Sequence, residues 1–193
     1  MAGSYRARCI VLAKTKLGEA DLILTMLAQD GTQIRGVAKG ARKPGNKRFG
    51  ARLEPFSVVQ LQLYPGRSLE TITEARCEAT NDACRQDLDK SAACSRMAEL
   101  TAKATAEGEA GERMFPMLAA ALQALGQAPP SQALLLAEAF CVKALALLGL
   151  TFAQLSQVEG APCLPLLGFA ESWAREHLGI GLKAAGFLRA SLA

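Results

Sequence analysis

The sequence predicts an α+β chain: a small five-stranded β-barrel followed by an all-α helical domain. Three observations carry that prediction. Apolar residues alternate with period two up to about residue 79 and recur at helical spacing after it. Turn signals divide the first part into five short runs. The charge changes where the period does. Residues 1–80 hold 13 Lys and Arg against 7 Asp and Glu, a net of +6, whereas residues 81–193 hold 9 against 11, a net of −2. The boundary therefore falls near residue 80, with one domain over 1–79 and another over 80–193. A chain of 193 residues that is 50% apolar and 21% charged can bury a core, which excludes a disordered tail or a collagen-like fibre.

Over residues 5–13 the odd positions Tyr5, Ala7, Cys9, Val11 and Ala13 are apolar, and the even ones include Arg6 and Arg8. The first strand is expected to bury its odd face. Residues 16–21 read as a loop. Residues 22–27 form a short apolar strand, Asp30-Gly31 is a hairpin turn, and residues 33–39 return. A Gly-, Lys- and Arg-rich stretch runs over 40–52. The fourth strand is expected over 53–64, the Pro65-Gly66 turn follows, and the fifth strand covers 69–77. Five short strands expose two edges unless the sheet closes, so an oligonucleotide-binding (OB) type barrel is the natural architecture.

Asn81-Asp82 signals a helix cap. Cys94, Met97, Leu100 and Ala104 then recur at helical spacing, with Arg96, Glu99 and Lys103 expected outside. Glycines at 108 and 111 break that helix. Pro116 sits near the start of the next, whose apolar stripe is Met117, Leu118, Ala121, Leu122 and Leu125. Pro129-Pro130 ends it. Ser131 caps a third helix over about 132–148, stopped by Gly149, which is apolar nearly all round and is expected at the centre of a bundle. Short helices are expected near 168–176 and 182–192. The apolar run over 133–150 is interrupted by Glu138 and Lys143, so it does not predict a membrane span. No apolar leader follows Met1, and a cytoplasmic protein is expected.

The sharpest chemical feature lies over residues 35–52. It holds seven cations, Arg35, Lys39, Arg42, Lys43, Lys47, Arg48 and Arg52, and no Asp or Glu. Arg35 and Lys39 share a strand face, about 13 Å apart, enough to span two backbone phosphates. Seven like charges without a counter-charge repel one another, and a polyanion relieves that repulsion by counterion release. These residues are the expected nucleic-acid site, and Phe49 within the stretch is a possible base-stacking ring. Tyr5 and Tyr64, near strand ends, are weaker stacking candidates. With so few aromatic residues, binding should be mainly electrostatic and salt-sensitive.

Other candidates carry less. Gly179-Ile180-Gly181-Leu182-Lys183-Ala184 matches a dinucleotide fingerprint by letter but follows no strand pattern. Glu19 and Asp21 lie after Lys14 and Lys16 and are expected to fix a loop. His177, the single histidine, lies one helical turn from Trp173 and fits packing. The six cysteines, at 9, 77, 84, 94, 141 and 163, include no Cys-x-x-Cys pair, so reduced buried thiols are expected and zinc is not. No convergent acid–base or metal set supports an enzyme, and no cofactor is expected.

The chain resembles a known family. Ile10-Val11-Leu12, Leu17-Gly18-Glu19-Ala20-Asp21, Gly40-Ala41-Arg42-Lys43 and Leu53-Glu54-Pro55-Phe56 resemble, in order and approximate spacing, the N-terminal signature of the RecO recombination mediators. The helix carrying Ala139-Phe140-Cys141 and Leu147-Leu148-Gly149-Leu150 is similar to that family's Phe…Leu-Leu…Gly helix. The resemblance implies an OB barrel, a helical C-terminal domain and a non-enzymatic role. It implies binding of single- and double-stranded DNA, strand annealing, and action with RecR and single-strand DNA-binding protein to load RecA. The family's basic Gly-Ala-Arg region maps onto residues 40–43. Many members carry a four-cysteine zinc cluster after the Leu-Leu-Gly helix, where this chain offers only Cys163 and His177. On the residues alone two other functions stay open. One is a different OB-type binder, such as an RNA accessory factor. The other is a scaffold whose helical half meets a protein partner.

Overall fold

A computed structural model describes residues 3–46, 49–105 and 111–147. Five strands come first: β1 (Tyr5–Leu17), β2 (Asp21–Ala28), β3 (Gln33–Ala38), β4 (Val58–Tyr64) and β5 (Glu70–Ala79), with a 3-10 turn at Gly50–Leu53 between β3 and β4. Four helices follow: α1 (Ala83–Gln86), α2 (Leu88–Thr105), α3 (Met114–Gln127) and α4 (Ala133–Leu147). The strands close into a barrel in the order β1-β2-β3-β5-β4, β1 completing the ring against β4. Every pairing is antiparallel except β3 with β5. This is the α+β, OB-type architecture expected from the sequence.

The strands differ from expectation in two places. β1 continues to Leu17, so the loop narrows to residues 18–20. Its alternation also changes phase. Val11 pairs with Met26 but Ala13 with Thr25, leaving Leu12 as an extra residue. Such a bulge turns the following residues over. Cys9 and Val11 point into the barrel, whereas Ala13 is exposed rather than buried. Residues 53–57, expected in the fourth strand, instead form the end of the 3-10 turn and the approach to β4.

Two apolar clusters organise the molecule. The barrel interior contains Val11, Leu24, Met26, Leu61, Leu63 and Ile72, closed by Phe49 and Leu53. The second cluster joins Ile10, Leu12, Leu27, Phe56 and Val58, on the outer side of the barrel, to the apolar faces of the helices. Gln33 ties β3 to α2 by donating through Nε2 to the Ala102 carbonyl and to Thr105 Oγ1. Gly31, at the β2–β3 turn with φ +89°, lies against the Gly111 backbone, where a Cβ would collide. Backbone packing of that kind requires glycine.

The expected cap is also displaced. Asn81 has φ +50° and donates through Nδ2 to the Phe56 carbonyl at 2.8 Å, while Asp82 makes no side-chain cap bond to α1. Asp87 Oδ1 accepts the Lys90 N–H at 3.0 Å and so caps α2. The expected exterior position of Arg96 is wrong. Arg96 and Glu138 are both 0% exposed, and Arg96 Nε lies 2.8 Å from Glu138 Oε1, joining α2 to α4. Burial follows the need of each charge for the other. Helix α4 buries Ala137, Phe140, Cys141, Ala144 and Leu145, while Leu135 is 54% exposed among the described residues. Pro130–Leu147 is long and apolar enough to cross a membrane. Its buried face packs on α2 and α3. Gly149, Cys163, Trp173, His177, the fingerprint at 179–184 and the two short helices expected near the C-terminus lie outside the described residues.

Candidate nucleic-acid interface

The register of β3 decides which of its residues meet solvent. Ile34, Gly36 and Ala38 pair with Met26, Leu24 and Leu22, which face the barrel interior. The alternate residues Arg35 and Val37 therefore face away from the interior, Arg35 exposed and Val37 buried, and Lys39 continues their face just past the strand. Arg35 and Lys39 are both exposed.

The chain then enters a loop held by hydrogen bonds. Gly40, at φ +68°, donates its N–H to Asp21 Oδ1 at 2.7 Å. Arg42 donates its backbone N–H to the Ala20 carbonyl at 2.8 Å and its Nη1 to the Gly18 carbonyl at 3.0 Å. Asn46 Nδ2 donates to the Gly40 carbonyl at 2.6 Å. The β1–β2 turn and the loop after β3 thus form one fixed platform, and Asp21 is a loop-fixing carboxylate, as expected. Anchoring Arg42 by one donor leaves most of its five donors free in direction for an anion.

Arg35, Lys39, Arg42 and Lys43 are all exposed, and among the described residues none of them forms an ion pair with a carboxylate. Two acids elsewhere on the barrel are engaged with other cations. Lys14 Nζ meets Glu54 at 2.6 Å, and Arg8 Nε meets Glu78 at 2.7 Å. Four cations without an ion pair thus follow one another along β3 and the loop after it.

Of the other expected cations, one is placed apart from this group and two are not described. Arg52 lies in the 3-10 turn and shares a shallow depression with Glu74 and Arg76 of β5. Lys47 and Arg48 lie outside the described residues. The possible stacking role of Phe49 is corrected. Its ring is 2% exposed within the barrel core, where closing the apolar interior outweighs solvent exposure.

Two residues were undervalued in the sequence. Arg67, in the β4–β5 turn, lines a cleft of about 520 Å³ together with Arg35. Tyr64, the last residue of β4, is 48% exposed. The signal for both was the Pro65-Gly66 turn, which in an OB barrel sits beside the ligand face. Distance along the chain hid that position from a search for charge runs.

Among the described residues no group of three or more His, Cys, Asp or Glu side chains is placed to hold a metal ion. The described cysteines are free, and burial pushes the thiols of Cys9 and Cys141 up to about 12, which keeps them protonated.

Comparison with known proteins supplies independent information. Residues 1–80 match the family described as Recombination protein O N terminal, and residues 85–173 match Recombination protein O C terminal. Three curated relatives are each named DNA repair protein RecO. That of Gloeobacter violaceus is 40% identical over 129 residues, covering 67% of this chain and 49% of the relative. That of Cutibacterium acnes is 40% identical over 126 residues, covering 64% and 51%. That of a Nocardioides species is 39% identical over 149 residues, covering 75% and 59%. The chain spans about half the length of the curated relatives it matches.

Proposed function

The chain belongs to the RecO family of DNA repair proteins, and from that premise we propose that it is a non-enzymatic DNA-binding recombination mediator. In this proposal Arg35, Lys39, Arg42 and Lys43 grip the phosphate backbone of single- and double-stranded DNA, with Lys47 and Arg48 extending the same basic loop and Arg52 making at most a separate contact. The observation that carries the proposal is the exposed cation group on the β2–β3 side of an OB barrel, with no carboxylate paired to it among the described residues.

The physical action follows from charge. Two single strands repel through their phosphates. A protein face that neutralises the backbone and leaves base edges open lowers that repulsion, and complementary strands can then pair. Annealing of this kind consumes no nucleotide and needs no catalytic residue. The wider role proposed is loading of RecA, with RecR, onto DNA coated by single-strand DNA-binding protein, in the bacterial cytoplasm beside the chromosome.

The test is a salt titration of single-strand DNA binding. Each phosphate contact on a single strand contributes about −0.7 to the slope of log K against log salt. Replacing Arg35, Lys39, Arg42 and Lys43 together by Ala is expected to flatten the slope by about 2 to 3 and to slow annealing of complementary oligonucleotides. An unchanged slope and unchanged annealing would remove this face as the site. Competition between DNA and RNA of the same sequence separates this proposal from an RNA accessory role.

A further inference from the structure

We propose that Tyr64 is a base-stacking platform at one end of a single-strand path that crosses the barrel. The inference rests on the DNA-binding reading above and deepens it. The strand pairings place Thr15 opposite Ile23, Ile23 opposite Val37, Val37 opposite Thr71 and Thr71 opposite Tyr64. Opposed residues in a sheet share a face, so these five lie on the outer side of the barrel, one from each strand.

The row has the chemistry of a base-binding floor. Ile23 and Val37 at its centre are apolar, Ile23 half-buried and Val37 only 9% exposed, and its threonines are small, so the open part of the row is the Tyr64 end. Arg35 lies two residues to one side of Val37 along β3, and Lys39 two residues to the other. Each offset is about 6.6 Å, and adjacent strands are about 4.8 Å apart. Bases laid along the row would thus have a cation on either flank of the strand that carries Val37.

At the β4 end the row finishes on the most exposed aromatic ring of the described barrel, Tyr64 at 48%. The turn that follows carries Arg67, which shares a cleft of about 520 Å³ with Arg35. Glu70 contributes an acid to that cleft, with its Oε2 buried. An exposed ring at the end of a sheet face, three residues before Arg67 in the chain, is the pairing of stacking surface and phosphate contact that single-strand binding needs. A ring that was merely packing would lie inward, as Phe49 does.

The row also distinguishes forms of DNA. A duplex keeps its bases stacked on one another, so only its phosphates reach the cations. A single strand can turn a base onto Tyr64. The ring therefore contributes to single-strand affinity and not to duplex affinity.

The experiment measures anisotropy of labelled oligo-thymidine, an abasic oligonucleotide of the same length, and a duplex. It uses the full chain and its Tyr64→Ala and Tyr64→Phe variants, with thermal melting as the folding control. The expected result is a loss of about tenfold for Tyr64→Ala on oligo-thymidine. Tyr64→Phe should bind like the unaltered chain. Both variants should equal it on the abasic strand and the duplex. Equal binding of Tyr64→Ala to oligo-thymidine would overturn the stacking role, and so would an equal loss on the abasic strand, which marks a structural effect. If either happens while Arg35→Ala with Lys39→Ala still weakens binding, the DNA-binding reading stands without it. If the unaltered chain binds none of the three, both fall.

Discussion

Glu78 carries a small electrostatic link across the barrel. Its carboxylate accepts hydrogen bonds from Arg8 Nε at 2.7 Å and Gln60 Nε2 at 2.8 Å, while the Arg8 guanidinium lies 5.1 Å from the centre of the Phe115 ring. The bond from Arg8 is the main reason Glu78 is held below the usual carboxylate range. A depressed carboxylate stabilises the fold above its unfolded pKa, and that contribution is lost as pH falls through the folded value. Because the group is solvent-accessible, Glu78→Gln should cost at most about 1 kcal/mol at pH 7. Urea denaturation of the two proteins should show that difference closing as pH falls below the carboxylate range. The contrast between Phe49 and Tyr64 belongs to this scale too. Both are aromatic letters near glycine and arginine, and composition ranks Phe49 higher because it sits inside the cation run. Which ring is buried depends on the pairing of β4 with β5 and on the 3-10 turn, neither of which a local pattern contains.

Helices α2 and α4 are joined by charge within an apolar contact. Arg96 and Glu138 share the interface with Met97, Leu100, Phe140 and Cys141. Glu138→Ala would strand a buried guanidinium and is expected to destabilise the protein by about 3–5 kcal/mol. Replacing both, Arg96→Met with Glu138→Leu, should restore stability to near or above the original value, as measured by chemical denaturation. Near-identical stability of Glu138→Ala and the unaltered chain would contradict the burial of the pair. The sequence shows the stripe Cys94, Met97, Leu100 and Ala104 but not this bridge, because the partner of Arg96 lies on another helix. Strands β2 and β3 were legible because Asp30-Gly31 sets their turn and one face alternates cleanly. The extent of β1 and the start of β4 were not. The Leu12 bulge interrupts the period in one, and the 3-10 turn at Gly50–Leu53 replaces the expected strand in the other. Of the basic run, Arg35, Lys39, Arg42 and Lys43 are exposed. The separation of Arg52 depends on where the 3-10 turn docks, which charge spacing does not encode.

At the scale of the whole molecule, the barrel and helices share an apolar cluster, so the change of period near residue 80 is not a break in packing. Ile10, Leu12, Leu27, Phe56 and Val58 would all lose their cover in a fragment ending at residue 80. That fragment should bind a hydrophobic dye and self-associate, whereas the full chain should do neither to the same degree; sedimentation of the two tests this. The extra residue at Leu12 has a wider meaning for the same division of surfaces. Upstream of it, the outer side of β1 is glue for the helices. Downstream, the ribbon has rolled by half a turn, and Ala13 and Thr15 join the side that meets solvent. Removing that one amino acid would set Val11 beside Ala13 in plain alternation: every later side chain would keep its side, and the helices would lose the cover that Leu12 gives them.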